Sequence, residues 1–187
     1  MIKRRNFIFD LLIIIFILGF VSCSDSKPPV FEKGNLIGKY VGSCTVSLGS
    51  ISEIVPDFPA EFWQKDNQNL NLLIGDDASY QSIGIKTIRT TSEFKDYGSY
   101  AGFTLDNFSD SFGNDQIPVF IKNNIILTWD IKSVTLKLNV DSKNSPKYTI
   151  ASKNLTFTYT GVIEITGKNS GEYYSSPIIY LFNLNKK

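Results

Sequence analysis

Among its 187 residues the chain has no histidine. That single absence excludes Ser-His-Asp triads, histidine metal ligands and histidine general bases together. Cysteine is nearly absent too, with only Cys23 and Cys44. Two thiols cannot make a multi-cysteine zinc site or a disulfide framework. Methionine occurs once and alanine is scarce, a composition unsuited to a helical bundle. No Gly-x-Ser-x-Gly elbow and no glycine-rich phosphate loop is present, so the usual serine-hydrolase and nucleotide signatures are missing. Charge of one sign is missing as well. Basic and acidic residues number 19 and 18, and the only basic cluster is Lys3-Arg4-Arg5 at the start. Nothing beyond it offers the electrostatic footprint of a nucleic-acid partner.

The one long apolar run is Leu11–Val21, 11 residues. A membrane-spanning helix needs about 20, whereas a run of this length behind Lys3-Arg4-Arg5 has the form of an export signal. Asp10 separates the run from Phe7–Phe9. The run closes on Gly19-Phe-Val-Ser22-Cys23, which resembles a lipobox with Phe20 where Leu is usual. The reading is a cleaved lipoprotein signal peptide over 1–22, with Cys23 as the lipidated N-terminus and membrane anchor. A polar tether with Pro28-Pro29 follows over 23–35. Ser24 next to the cysteine implies an outer-membrane lipoprotein, on the periplasmic or the cell-surface face. Cleavage leaves 16 basic and 17 acidic residues, a formal charge of −1.

What remains is rich in strand formers. Isoleucine, valine, threonine, phenylalanine and tyrosine recur, and aromatics reach 13%. From Leu36 the apolar period is two, the signature of half-buried antiparallel strands in a single domain over 36–187. In Gly38–Leu48, Tyr40, Gly42, Cys44, Val46 and Leu48 share the core face and Ser43, Thr45 and Ser47 the other. Pro56–Gln64, with Pro56 and Pro59, reads as a short helix or an irregular loop rather than a central strand. Leu70–Ile74 and Tyr80–Arg89 read as strands around a turn at Gly75–Ser79. Tyr100–Asp106 reads as a strand and Asn107–Asp115 as a polar loop. Gln116–Ile121 and Ile125–Ile131 read as a hairpin about Lys122-Asn123-Asn124.

Apolar residues are odd-numbered at Ile125, Leu127, Trp129 and Ile131, but even-numbered from Val134 to Val140. A one-residue slip near Lys132-Ser133 predicts a bulge or corner there. Asp141–Lys147 reads as a loop. Tyr148–Ala151, Leu155–Thr166 and Tyr173–Leu184 read as the last strands, with a bulge at Gly161 and a hairpin loop at Gly167–Gly171. About ten short strands point to an all-β antiparallel barrel or, as the alternative, a β-sandwich.

Several segments strengthen the first choice. Leu36-Ile-Gly-Lys-Tyr-Val-Gly42, Tyr100–Ser109, Gln116-Ile-Pro-Val119 and Leu155–Thr166 resemble the calycin-like, or lipocalin-like, lipoproteins of Gram-negative bacteria, a family of unknown function. Gly38-Lys-Tyr40 looks like the Gly-x-Trp that opens a lipocalin barrel, with Tyr for Trp. The resemblance implies a calycin-like β-barrel and a cavity for a small ligand; it implies no enzyme activity and no cofactor.

Candidate sites follow from chemistry. The oxygen-rich stretch Asp106–Asp115 lacks the ligand spacing and closing glutamate of a calcium loop and reads as solvated backbone, so no metal is expected. Asp76-Asp77, adjacent in a turn, face water rather than forming a catalytic carboxylate pair. Aromatics remain. Tyr40, Phe103, Trp129 and Tyr159 fall on core faces, where they would line a cavity beside Cys44. Trp63, Tyr97, Tyr100, Tyr173 and Tyr174 lie near loops or strand ends, where rings can stack on sugars. Trp63 and its proline segment would cover one end. The expected function is a non-enzymatic module binding a small hydrophobic or glycan ligand. The alternatives are a structural or protein-interaction component of an envelope complex, docking through an edge such as Tyr173–Leu184, and a carbohydrate-active enzyme using two carboxylates.

Overall fold

The period-two pattern lays down ten strands over residues 31–187, the part of the chain that the computed structural model describes. The expected signal peptide 1–22, Cys23 and the tether as far as residue 30 lie outside the described residues. The strands are β1 Gly38–Leu48, β2 Ile51–Gln64, β3 Leu70–Ile74, β4 Thr87–Asp96, β5 Tyr100–Leu105, β6 Phe108–Gly113, β7 Ile131–Val140, β8 Lys147–Thr149, β9 Asn154–Gly167 and β10 Tyr173–Lys186. Two short helices interrupt them, α1 Asp77–Ile83 and α2 Val119–Asn124. The fold is all-β, one antiparallel sheet in the order β10-β1-β2-β3-β4-β5-β8-β9-β7-β6. No helix among the described residues is long and apolar enough to cross a membrane.

The long hairpin β9–β10 organises this order. β10 pairs with β9 from Tyr173 to Asn185 and with β1 from Ile178 to Lys186. The other edge of β9 is divided between two strands: Asn154–Thr156 takes β8, and Tyr159–Gly167 takes β7. The pairings therefore run from β10 through β1, β2, β3, β4, β5 and β8 to β9, and back to β10. β7 and β6 extend the far half of the hairpin.

Several segments differ from expectation, each for a physical reason. Residues 56–64 are neither helix nor loop but belong to β2. β3 covers β2 only from Ala60 to Gln64, so both prolines lie where β2 has one sheet neighbour and a missing N–H costs little. The Pro59 carbonyl accepts from Gly75 N at 2.9 Å. Asp57, at φ 53°, takes up a bulge between Gly42 and Cys44 of β1 and the opposing stretch of β2.

Asp77–Ile83, expected as turn and strand, forms α1 instead, and of the expected strand only Thr87–Arg89 is strand, where β4 begins. Asp76 caps the helix by accepting from Ser79 N at 2.9 Å, and Gly84 ends it in the left-handed conformation. Residues 107–115 hold β6 rather than a loop. The expected hairpin at 116–131 is a short 3-10 turn and α2, followed by irregular chain through Trp129. Gly161 does not bulge. It keeps unbroken register with Leu138 and Ile178, because it marks a close approach of backbones. The slip expected at 132–133 is observed as a register shift between Ile131 and Ser133.

The core is filled by rings. Phe182 stacks on Phe157 at 4.3 Å between centroids and meets Phe58 edge-on at 5.3 Å. Tyr40 meets Phe62 at 5.7 Å, and Phe62 meets Phe103 at 5.9 Å. The three fully buried tyrosines each donate to a carbonyl: Tyr40 to Leu36 O at 2.7 Å, Tyr180 to Ile83 O at 2.8 Å and Tyr159 to Asp106 O at 3.0 Å. The Tyr180 bond serves an end carbonyl of α1 that the helix cannot satisfy itself. Cys44 is fully buried, as its place in β1 predicts, and burial pushes its thiol well up. It is packed as a small apolar residue rather than poised as a nucleophile.

Candidate functional site: a groove over a gap in the sheet

β8 has only three residues, and that brevity creates the site. β5 pairs with β8 through Gly102 and no further; β9 pairs with β8 through Thr156 and with β7 only from Tyr159 onward. Between them the ladder is interrupted. The loop 141–146 spans the interruption, tied to β9 by Asp141 N donating to Thr158 O at 2.9 Å and to β5 by Phe103 N donating to Pro146 O at 3.2 Å. Thr158, on an outward-facing position, is left only 5% exposed.

An open groove of about 780 Å³ lies here. Phe103 and Phe157, core residues seen through the interruption, contribute to its lining. On one side stand Tyr97 and Tyr100, with rings stacked at 4.8 Å and 16°. Tyr97 is 49% exposed. Its ring lies over Gly102, where a Cβ would come within 3.1 Å of Cε2. On the other side stand Lys143, Asn144, Ser145 and Lys147, with Thr156, Thr158 and the half-exposed Leu181 beyond.

Strand register sets the charges. Lys95 of β4 is opposite Gly102 of β5, and Gly102 is opposite Lys147 of β8. Two lysines thus straddle a glycine notch, about 10 Å apart at ordinary strand spacing. Lys95 Nζ sits 5.1 Å from the Tyr97 ring centre. Lys95, Lys143 and Lys147 are exposed and make no salt bridge among the described residues. Glu93 is the one carboxylate among the lining residues, so the groove carries a surplus of positive charge. Lys147 is in turn opposite Thr156 of β9, whose Oγ1 is buried with no hydrogen-bond partner among the described residues.

The lip loop is shaped by Asp141. Its carboxylate accepts from Asn144 Nδ2 at 2.7 Å and Lys143 N at 2.9 Å. Those bonds, the Asn144 side chain's foremost, hold the Asp141 carboxyl below its ordinary 3.8. A folded pKa below the unfolded one means that the ordering contribution is complete above pH 3.8 and lost as pH falls through the lowered value. The Lys143 and Asn144 amide resonances are expected to hold steady from neutral pH down to about 4 and to shift below it. In Asp141→Asn that low-pH transition is absent; its persistence in the variant would assign the transition elsewhere.

Of the aromatics singled out from sequence, the structure brings few together. Phe103 reaches the groove, as do Tyr97 and Tyr100. Tyr40 and Tyr159 are sealed in the core. Trp129 packs partly buried at the core's margin, and Trp63, on β2, is likewise half-buried. Tyr173, 58% exposed, and Tyr174, packed against the core, open β10 at the far end of the hairpin. The stretch 106–115 gathers no metal-binding group, nor does any other set of His, Cys, Asp and Glu among the described residues. Asp76 is occupied as a helix cap, while Asp77 pairs with Lys86 at 2.5 Å. The lysines, Thr156 and the lip were not singled out; Tyr97-Gly-Ser-Tyr100 beside Lys95 was the available signal. Against family models, curated proteins and solved structures, the chain has no match.

Proposed function

We propose that this chain is an exported lipoprotein whose domain is a calycin-like β-barrel and whose outer groove binds a glycan-like ligand without chemical conversion. The carrying observation is the groove itself: a half-exposed tyrosine pair beside hydroxyls, amides and ammonium groups, over a gap that the short β8 leaves. A sugar offers an apolar C–H face to such a ring and a rim of hydroxyls to such donors. The returning circuit of pairings through eight strands supports the barrel. Its ring-filled core turns the binding role away from the interior and toward the wall. The short apolar run before Cys23 supports export and anchoring at the outer membrane through lipid. One lining carboxylate, Glu93, falls short of the two that glycoside hydrolysis uses, which favours binding over turnover.

The test is saccharide binding by the processed, lipidated chain purified from the envelope in mild detergent. Binding without release of shorter sugars is the expected result. Tyr97→Ala should weaken it by roughly five- to tenfold, since a ring contact is worth about 1 kcal/mol or slightly more, while the melting temperature stays within a few degrees. Unchanged affinity in that variant would move the ligand off the groove.

An interaction role is favoured by one feature. The first five residues of β10 extend beyond β1, and β6 has a single neighbour, so both present unpaired backbone. Pro177 shortens the first of these edges as a template. Crosslinking from Ser175 in cells tests this reading; capture of a discrete envelope protein would favour it, and its absence would remove it.

A further inference from the structure

We infer that the groove selects anionic saccharides, seating a sugar ring on Tyr97 and the sugar's acidic substituent between Lys95 and Lys147. The inference rests on the binding role proposed above and adds the ligand's charge. Three exposed lysines converge on one groove with no salt bridge among the described residues and a single glutamate beside them. Their placement is fixed by backbone. The row Lys95, Gly102, Lys147, Thr156 runs across β4, β5, β8 and β9 in continuous register. The residue between the two cations has no side chain, and the Tyr97 ring lies over it, so the ring stands between the two lysines. A neutral sugar would leave both lysines without a counter-charge.

Ammonium groups act as point charges and lack the planar fork by which arginine reads oxyanion geometry. The class is therefore set by charge, with carboxylated and sulfated sugars both admitted. The lysine heads are solvated, so the attraction is screened over a Debye length of about 8 Å at physiological salt.

The experiment measures binding of the lipidated chain to four probes: trigalacturonic acid, its neutral trimethyl ester, and a chondroitin tetrasaccharide with and without sulfate. A panel of neutral oligosaccharides accompanies them. At low salt the acid should bind at least tenfold more tightly than its ester, and the gap should close as salt rises toward 1 M. The double change Lys95→Gln, Lys147→Gln should abolish the gap, bringing binding of the acid down to that of the ester. The same change at two remote exposed lysines, Lys39 and Lys132, should leave the gap in place. Tyr97→Ala should weaken acid and ester alike. Equal binding of acid and ester, or loss of preference in the remote double variant, would overturn the charge selectivity while the glycan-binding role stands. Binding of no saccharide, acidic or neutral, would overturn both.

Discussion

Replacing Phe182 by alanine is expected to destabilise the domain by about 3–5 kcal/mol. For a domain of this size that is a fall in melting temperature of roughly 10 °C or more. Phe182 is fully buried in β10, stacked on Phe157 of β9, edge-on to Phe58 of β2 and 6.5 Å from the ring of Tyr159. Phe157 is its cross-strand partner on the neighbouring β9 and Phe58 comes from β2, beyond β1, so strand pairing keeps them from collapsing into the space without drawing the sheet in. The expected loss therefore includes a cavity term as well as the transfer term. Phe182→Leu, which keeps most of the volume, should lose much less, about 1 kcal/mol or somewhat more. Urea unfolding of the three proteins measures this. A loss below about 1 kcal/mol for the alanine variant would mean that the ring faces free space, and the interior would again be a candidate ligand chamber.

That result bears on where function resides. A barrel that carries its ligand inside has to leave rings unpacked along its interior. Here Tyr40, Tyr159 and Tyr180 are fully buried, and their hydroxyls are already engaged by backbone carbonyls. Burial, the largest cause for each, raises all three phenols above the ordinary 10.0, so they stay neutral donors throughout the stable pH range. Lys95, Lys143 and Lys147, without a salt bridge among the described residues, lie outside the core, where the lip 141–146 meets β4, β5 and β9.

The parts of the fold legible in sequence are those where one rule acts alone. β1 alternates cleanly, and Tyr40, Cys44, Val46 and Leu48 are buried as the alternation requires. The phase slip before Val134 marks the register shift of β7. Legibility fails where a second rule competes. Prolines argued against β2 because a central strand needs both edges, yet β3 is too short to claim the edge that the prolines occupy. α1 carries its own punctuation, Asp76 at the start and Gly84 at the end, but Ile83 and Ile85 mimic a strand's alternation across that boundary. The site was half legible. Tyr97 and Tyr100 announce themselves by type and by their place in a turn. Lys95 and Lys147 are ordinary lysines until pairing through Gly102 sets them on either side of one notch, and no local pattern encodes that register.

Gly161→Ala is expected to be the most disruptive glycine-to-alanine change among the described residues. A Cβ at Gly161 would fall 1.9 Å from Lys137 O and 3.0 Å from Leu138 Cα, both backbone atoms of β7. Backbone cannot rotate away as a side-chain tip can, so β7 must move from β9 or lose hydrogen bonds on either side of the contact. Gly161 has no positive φ, and an alanine there suffers no conformational penalty. The cost is steric and is put at about 3 kcal/mol, the upper part of the overpacking range. Gly42 poses the same constraint at the opposite edge of β10, where a Cβ would meet Asn183 O at 2.1 Å. Gly34, with no atom within 4 Å of the added carbon and no positive φ, provides the neutral control. Hydrogen exchange distinguishes the mechanism from general loosening. In Gly161→Ala, the amides linking β7 to β9 should lose protection first, while the β1–β10 pairs beyond Ile178 keep theirs. In Gly42→Ala the order should reverse. Uniform loss in both variants would mean that β6–β7 and the eight-strand circuit unfold as one unit rather than as two parts joined at the β9–β10 hairpin.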